Sequence, residues 1–560
     1  MFKKTDPNPQ LDIFTAPSMQ LGSRASKKYS DPNAWHNQFY SLVTTKINEE
    51  IFKPLFPEGK KCGRPNASIR ILVAMSALKE GFGCSDEDLF EKCEFDLLTR
   101  KALGMELLTD VTPSIDTYYL FRRRICEYQE RTGIDLMQLC FEQLAGNQVR
   151  LLKISGKCVR MDSKLIGSNI ARQSRYELIH TTLVKFLKTC TLSDLSPEQE
   201  ERAKEYLKED SSKTVYRSDS DTLQSNLARI GNFIMEMLAT FPATSPAHDL
   251  LQRLFDEQYA VKDGKAVLRD KKEVKADSLQ NPNDPDATYR AKNDQKVQGY
   301  VTNITETVEE GKPNIITSVQ VETAVFADCH FLQEAVENSE RVTDSTIEDL
   351  YADGAYQSPD NREFAKNHNA MQLKTGKMQG GCRWELIPHD EDGLTVREIA
   401  TGNTYEAVKA VTKQGSRKRW RIPWNNKTGW RYFEDKDIKA YQLRKQIESL
   451  PLEEQHKRNN VEAAMFQYSF HTRKGKTRYR GLLKHRMHAY SRCMWMNLRR
   501  MVIFQISTFQ RSIFALFGPI REAFGSFKAI SRKIFTSGAD CYVSLRMTTL
   551  ARLDSKYVPF

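Results

Sequence analysis

The stretch Lys157-Cys-Val-Arg-Met-Asp-Ser163 decides how this chain is read. It is a short strand-like segment that delivers an acid, Asp162. Two more acids stand in contexts of different kinds. Asp353 follows Ile347-Glu-Asp-Leu-Tyr-Ala352 and is followed at once by Gly354-Ala-Tyr356. Glu462 closes Arg458-Asn-Asn-Val-Glu462, where a helical and then intensely basic stretch begins. Acids from separate elements converge only in a folded site. Converging carboxylates suit a pair of Mg²⁺ ions, because hard cations take oxygen ligands. Two such ions clamp the attacking and leaving oxygens of a phosphodiester during in-line displacement.

Composition sets the bounds. The chain has 560 residues, more than one ordinary domain holds, and 40% of them are apolar, enough for real cores. Its formal net charge is +12 and its pI about 9.0. A balance this basic favours a polyanionic partner, nucleic acid before a membrane surface. The eleven cysteines are dispersed without a CxxC pair, which argues against a disulfide framework or zinc ribbon and suits a reducing compartment. The N-terminus has no apolar signal core. The most apolar late stretch, 501–520, is interrupted by Gln505, Gln510, Arg511 and Gly518-Pro519, and reads as a buried or amphipathic helix.

The N-terminal part, 1–150, reads as helical. Apolar residues fall at helical spacing from Ile69 to Lys79, and Gly81-Phe-Gly83 is expected to break that helix. Ser85 is placed to cap the next one, with Asp86, Glu87 and Asp88 in its first turn. A further helix over 114–131 carries Arg122, Arg123 and Arg124. Short helices with tight turns fit a helix-turn-helix-like DNA-binding unit, and equally a helical packing domain.

After Asp162 a helical insertion is expected over about 170–277. Ser196-Pro-Glu-Gln199 is a capping-box start, and Leu223, Leu227, Ile230, Ile234, Met237 and Leu238 form an apolar stripe. Residues 278–289 read as a loop whose Asp284 and Asp286 are turn residues before they are site acids. Strands are expected over 299–307 and 315–325, a helix near 331–339, then the strand leading to Asp353. A β-rich insertion covers about 370–440 and holds four of the six tryptophans: Trp384, Trp420, Trp424 and Trp430. Eight Lys or Arg and no acid lie between Glu406 and Glu434. Such interleaving suits a nucleic-acid groove, and also a small β subdomain with core tryptophans and a basic face.

Between Glu462 and Glu522 there are twelve Lys or Arg and no acid, among them Arg473, Lys474, Lys476, Arg478, Arg480, Lys484 and Arg486. Solvated helices normally mix signs, so a one-sign block argues for phosphate contact.

The segments Val159–Ser163, Tyr351–Tyr356 and Arg458–Glu462, with Arg478-Tyr-Arg-Gly-Leu482 downstream, resemble the DDE transposases of bacterial insertion sequences. Gly63-Arg-Pro65, Leu78-Lys-Glu-Gly81, Ser85–Leu89 and Leu120–Arg123 extend the resemblance, which runs from about 60 to 505. It implies an α/β, RNase H-like mixed sheet within 151–520, with Asp162 on the first strand, Asp353 at the end of the fourth and Glu462 on a later helix; 521–560 is a tail. It also implies Mg²⁺-dependent cleavage at transposon ends and strand transfer, with two ions and Mn²⁺ as a substitute. Double-stranded DNA is the implied partner, as terminal inverted repeats and target, with a homodimer on paired ends, no membrane, and a place in the bacterial cytoplasm at the nucleoid. Of the Tyr-x2-Arg-x3-Glu-x6-Lys pattern of related transposases, Arg458 and Glu462 fit, while Gln455 and Ser469 depart. His471, Arg473 or Lys474 are expected to replace the missing contacts. Trp420, Trp424 and Trp430 are candidates for stacking a flipped base. Two other readings stay open: a metal-dependent nuclease without strand joining, and a non-catalytic DNA-binding protein.

Overall fold

A computed structural model describes residues 2–5, 16–56, 65–241, 245–292, 295–375, 382–389, 393–411, 418–424, 429–449, 451, 454, 457 and 461–523. The chain is α/β, built on a mixed central sheet. Strand β1, Cys158–Gly167, leads into the helical insertion, which closes with a small hairpin of β2, Tyr259–Lys262, and β3, Lys265–Leu268. The sheet resumes with β4, Thr288–Lys292, β5, Gln295–Thr307, and β6, Ile316–Thr323. Beyond the helix Leu332–Thr343 come β7, Asp349–Ala352, and β8, Gln372–Thr375. β5 runs antiparallel to β1 and to both β4 and β6, whereas β7 runs parallel to β1 and β8 parallel to β7.

Period-two alternation gives this sheet two buried faces. Val159 and Met161 turn one way, with Val301, Leu350 and Ala352, onto the helix Leu332–Thr343. Ile166, Tyr300 and Ile304 turn the other way, onto the helices Val461–Ser469 and Leu482–Ala523. The second face shares one continuous core with the N-terminal helices, so residues 35–149 do not bury their apolar surface alone.

One contact explains an unexpected helix. Ile69–Phe82 passes straight through Gly81 and stops only at Gly83, whose φ of 66° is left-handed. Gly81 is there for close approach: a Cβ would stand 2.3 Å from Cδ2 of Trp495 on the long helix. Trp495 lies within an aromatic cluster formed by Trp35, Phe39 and Phe82. The expected cap follows, as Ser85 and Asp88 form a capping box on Asp86–Phe95.

The helical insertion has its own core, in which Leu227, Ile230, Ile234 and Met237 are buried. Ser196 caps Pro197–Lys208 in a capping box with Gln199, as its sequence predicts. The β-rich insertion is a five-stranded antiparallel meander: β9, Trp384–His389, β10, Gly393–Glu398, β11, Thr404–Val411, β12, Lys418–Trp424, and β13, Gly429–Glu434. Helix Asp435–Glu448 closes its core through Ile438 and Tyr441.

Candidate active site and nucleic-acid interface

The register of β1 against β7 sets the geometry of the acids. Cys158 pairs with Asp349, Val159 with Leu350 and Arg160 with Tyr351. Continuing that register by two residues, Asp162 in the middle of β1 and Asp353, just past the last residue of β7, occupy neighbouring positions. Each carboxylate is oriented locally. Asp162 Oδ1 accepts from the Ser163 N–H at 2.8 Å, and Asp353 Oδ1 from the Gly354 N–H at 2.6 Å. The Tyr356 hydroxyl senses both: burial first, then the charges of Asp162, Asp328 and Asp353, push its pKa well above the usual phenol value.

Glu462 sits exposed in the first turn of Val461–Ser469, whose Val461, Ala464, Met465 and Tyr468 bury onto the Asp162 side of the sheet. Among the described residues no group of three or more His, Cys, Asp or Glu side chains is assembled that could hold a metal ion, so the pair of aspartates and Glu462 are not drawn into one ligand set. Paired carboxylates still fit Mg²⁺, which is commonly held by one or two carboxylates together with substrate phosphates.

Beneath the aspartates lies a layer of buried charge that sequence reading missed. Arg160 pairs with its cross-strand partner Glu306 at 2.5 Å, both side chains almost fully buried, and Arg500 of the long helix reaches the same Glu306 at 2.6 Å. Arg160 also donates to the Lys457 carbonyl at 2.9 Å. On the next strand the Tyr351 hydroxyl donates to Glu454, which Lys374 and Lys457 also pair. Glu454 and Lys457, which precede Glu462 in the chain, are thus together tied to both aspartate-bearing strands. Nothing local in the sequence links Arg160 to Glu306; only strand register does.

Asp284 and Asp286 are structural. Asp284 is fully buried and accepts from the hydroxyls of Ser168 and Tyr300, while Asp286 accepts from the Leu482 N–H.

The basic block divides in two. Arg473, Lys474, Gly475 and Lys476 form a tight turn with left-handed φ at Lys474 and Gly475, zipped to the end of β1 by Gly167. Arg473 and Lys474 are exposed at its tip. Lys476, Arg478 and Arg480 each spend one donor on a backbone carbonyl, of Ile170, Gly83 and Asn169 respectively. Arg478 and Arg480 remain exposed, as does Lys484. Deeper in the block the cations meet acids from distant elements, Arg486 pairing with Glu322 and Arg500 with Glu306, while the His488 ring hydrogen-bonds Glu80. The block is one-signed in sequence and partly neutralised in space. Arg458 lies outside the described residues.

The three consecutive arginines do not form one patch, because successive helical residues turn by about 100°. Arg122 lies 5.4 Å from the Tyr118 ring centroid and 5.2 Å from that of Tyr479, a packing position. Arg124 lies over Phe56, and only Arg123 is exposed, beside Glu127. A cleft of about 850 Å³ brings Arg122 and Arg123 together with Arg478, Tyr479 and Lys484. It joins two regions that are far apart in the sequence, and Asp86, Glu87 and Asp116 line it too.

The expectation that Trp420 stacks on a base is corrected. Its ring is 5% exposed and sits in the meander core, where a base has no access. Trp430 is half-exposed, with the Arg421 guanidinium 4.2 Å from its ring centroid. Trp424 ends β12, and its side chain lies outside the described residues.

Residues 28–124 match the family model described as Transposase domain (DUF772), which supports reading the chain as a transposase of an insertion sequence. The match ends within the helix Ile115–Thr132, ahead of β1, so it does not reach the three acids. No curated protein and no solved structure matches the chain. No helix among the described residues is long and apolar enough to cross a membrane.

Proposed function

We propose that this protein is a DNA transposase that cuts at transposon ends and joins the freed 3′ ends to target DNA, with Asp162 and Asp353 as metal ligands and Glu462 joining them once metal and DNA are bound. The side-by-side placement of Asp162 and Asp353 on parallel strands carries this reading. The sheet supports it, since antiparallel β6, β5 and β1 followed by parallel β7 and β8 is the mixed arrangement expected of an RNase H-like catalytic domain. The transposase-domain match supports the substrate class.

Mg²⁺ bound by these carboxylates would supply Lewis-acid activation of water or a 3′-hydroxyl and neutralise phosphate charge. The chain's own residues do the rest. Asp162 and Asp353 present hard oxygens where β7 ends beside the middle of β1. Glu462 stands on the helix covering that face. The Arg160–Glu306–Arg500 cluster fixes the strands, and Arg473 and Lys474 meet the DNA backbone. Terminal inverted repeats and target duplex are the proposed partners, with a homodimer on paired ends.

The test is cleavage of DNA carrying the element's own ends, followed by a strand-transfer assay. Mg²⁺-dependent nicking at the ends and joined product are expected. Cleavage without joining would make the protein a nuclease, and no cleavage with retained end binding would make it a DNA-binding protein only.

A further inference from the structure

We propose that Phe466 and Phe470 form a stacking ledge for an unpaired DNA base beside the cut strand. The proposal rests on the DNA-processing reading above. Helix Val461–Ser469 buries Val461, Ala464, Met465 and Tyr468 and leaves Glu462 and Phe466 exposed. Residues four apart share a helical face, so Phe466 lies one turn from Glu462 on the same side. Phe466 is 63% exposed and Phe470 36%. Their rings meet edge to face at 5.8 Å, and Phe470 meets His471 in the same manner at 5.1 Å. His471 is in turn anchored on the Gly81 carbonyl. In the chain the row of rings is followed, after Thr472, by the exposed Arg473-Lys474 tip.

The surroundings select the occupant. From 463 to 521 the sequence contains no acid, and Glu462 is itself assigned to the metal. Exposed phenyl rings beside exposed cations match a strand whose phosphates pair while its bases stack. In a duplex the base faces are already stacked on their neighbours, so the ledge serves an unpaired base. Phenyl rings offer no hydrogen bonds, so the ledge tolerates any base.

The experiment uses the full-length protein without divalent metal, so that nothing is cut. Two probes are compared: a blunt duplex, and the same duplex with a short unpaired 3′ overhang carrying 2-aminopurine. The wild type is expected to bind the overhang probe more tightly and to quench its fluorescence. Phe466→Ala is expected to lose roughly tenfold in overhang affinity, and the quench, with blunt-duplex affinity unchanged. Phe466→Trp is expected to keep both. Phe466→Leu retains apolarity without a ring face and is expected to lose the quench. Wild-type binding without overhang preference, equal losses on both probes, or a quench retained in Phe466→Ala would overturn the ledge. Its outcome is separable from the catalytic assignment: cutting by an Asp162→Asn variant would overturn that assignment and leave the quench untouched.

Discussion

Arg160 and Glu306, cross-strand partners on β1 and β5, form an ion pair in which neither side chain is more than 3% exposed. Arg500 shares the same carboxylate. Removing one member of a buried pair strands its partner's charge at a cost of about 3–5 kcal/mol. Glu306→Ala strands two arginines and is expected to destabilise more than Arg500→Ala, which leaves one pair intact. Thermal midpoints of the two variants check this; equal midpoints would contradict it.

The acids are expected to separate binding from chemistry. Asp162→Asn, Asp353→Asn and Glu462→Gln should each abolish end cleavage while leaving DNA affinity within about twofold, because a neutral amide is a poor ligand for a hard cation. Chelation of divalent metal should silence the wild type in the same way. Gel assays of cleavage and binding on one end fragment measure both. Substantial cleavage by one variant removes that residue from the site.

The Gly81–Trp495 contact predicts a strong steric effect at a position with no chemistry. Gly81→Ala drives a methyl group into the indole, and overpacking of a close-packed core costs about 1–3 kcal/mol or more. Trp495→Ala empties the same place and is expected to cost about 3–5 kcal/mol. The double variant should be less destabilised than the sum of the singles, since the methyl then enters the space the ring vacated. Denaturant midpoints of the three variants close this cycle, and simple additivity would contradict the contact.

Two kinds of arginine are distinguishable by salt. Neutralising Arg473 and Lys474 together is expected to weaken binding to all DNA sequences. The slope of log K against log salt should fall by at most about two, since each phosphate that a cation neutralises adds about 0.9 to it. Arg122→Ala is expected to lower the melting temperature and leave that slope unchanged, because its guanidinium lies over Tyr118 and Tyr479. A slope change in Arg122→Ala without loss of stability would return it to the DNA surface.

Acid is expected to loosen the packing of the long helix, against β5 at His485 and against the N-terminal helices at Glu80. Burial, reinforced by the His488 charge, lowers His485 from 6.5 to about 3. It is therefore neutral in the fold and protonates more readily once unfolded. Its contribution is complete above about pH 6.5 and is lost as pH falls toward 3. Burial alone would raise Glu80, but His488, Lys79 and Tyr479 hold it down to about 2 from 4.5. Its contribution is complete above about pH 4.5 and is lost as pH falls toward 2. Melting temperatures from pH 7 to about 2 should fall in two overlapping steps, with His485→Gln flattening the upper step and Glu80→Gln the lower. An unaltered upper step in His485→Gln would show that His485 is not buried neutral.

Features that depend on near neighbours are legible in the sequence. The capping boxes at Ser85 and Ser196, the apolar stripe from Leu227 to Met237 and the strands flanking Asp162 and Asp353 are local in origin. Helix caps and hydrophobic periodicity act over a few residues, so a linear reading reaches them. Features that depend on register and on partners far along the chain emerge only with the fold. Gly81 became a contact surface because Trp495, more than four hundred residues away, lies against it. Trp420 went to the core because the meander closes over it. Arg486 and Arg500 lost their free charge to Glu322 and Glu306. Asp162 and Asp353 came side by side because β1 and β7 pair in one register, and a shift of a single residue would turn one of them to the opposite face of the sheet.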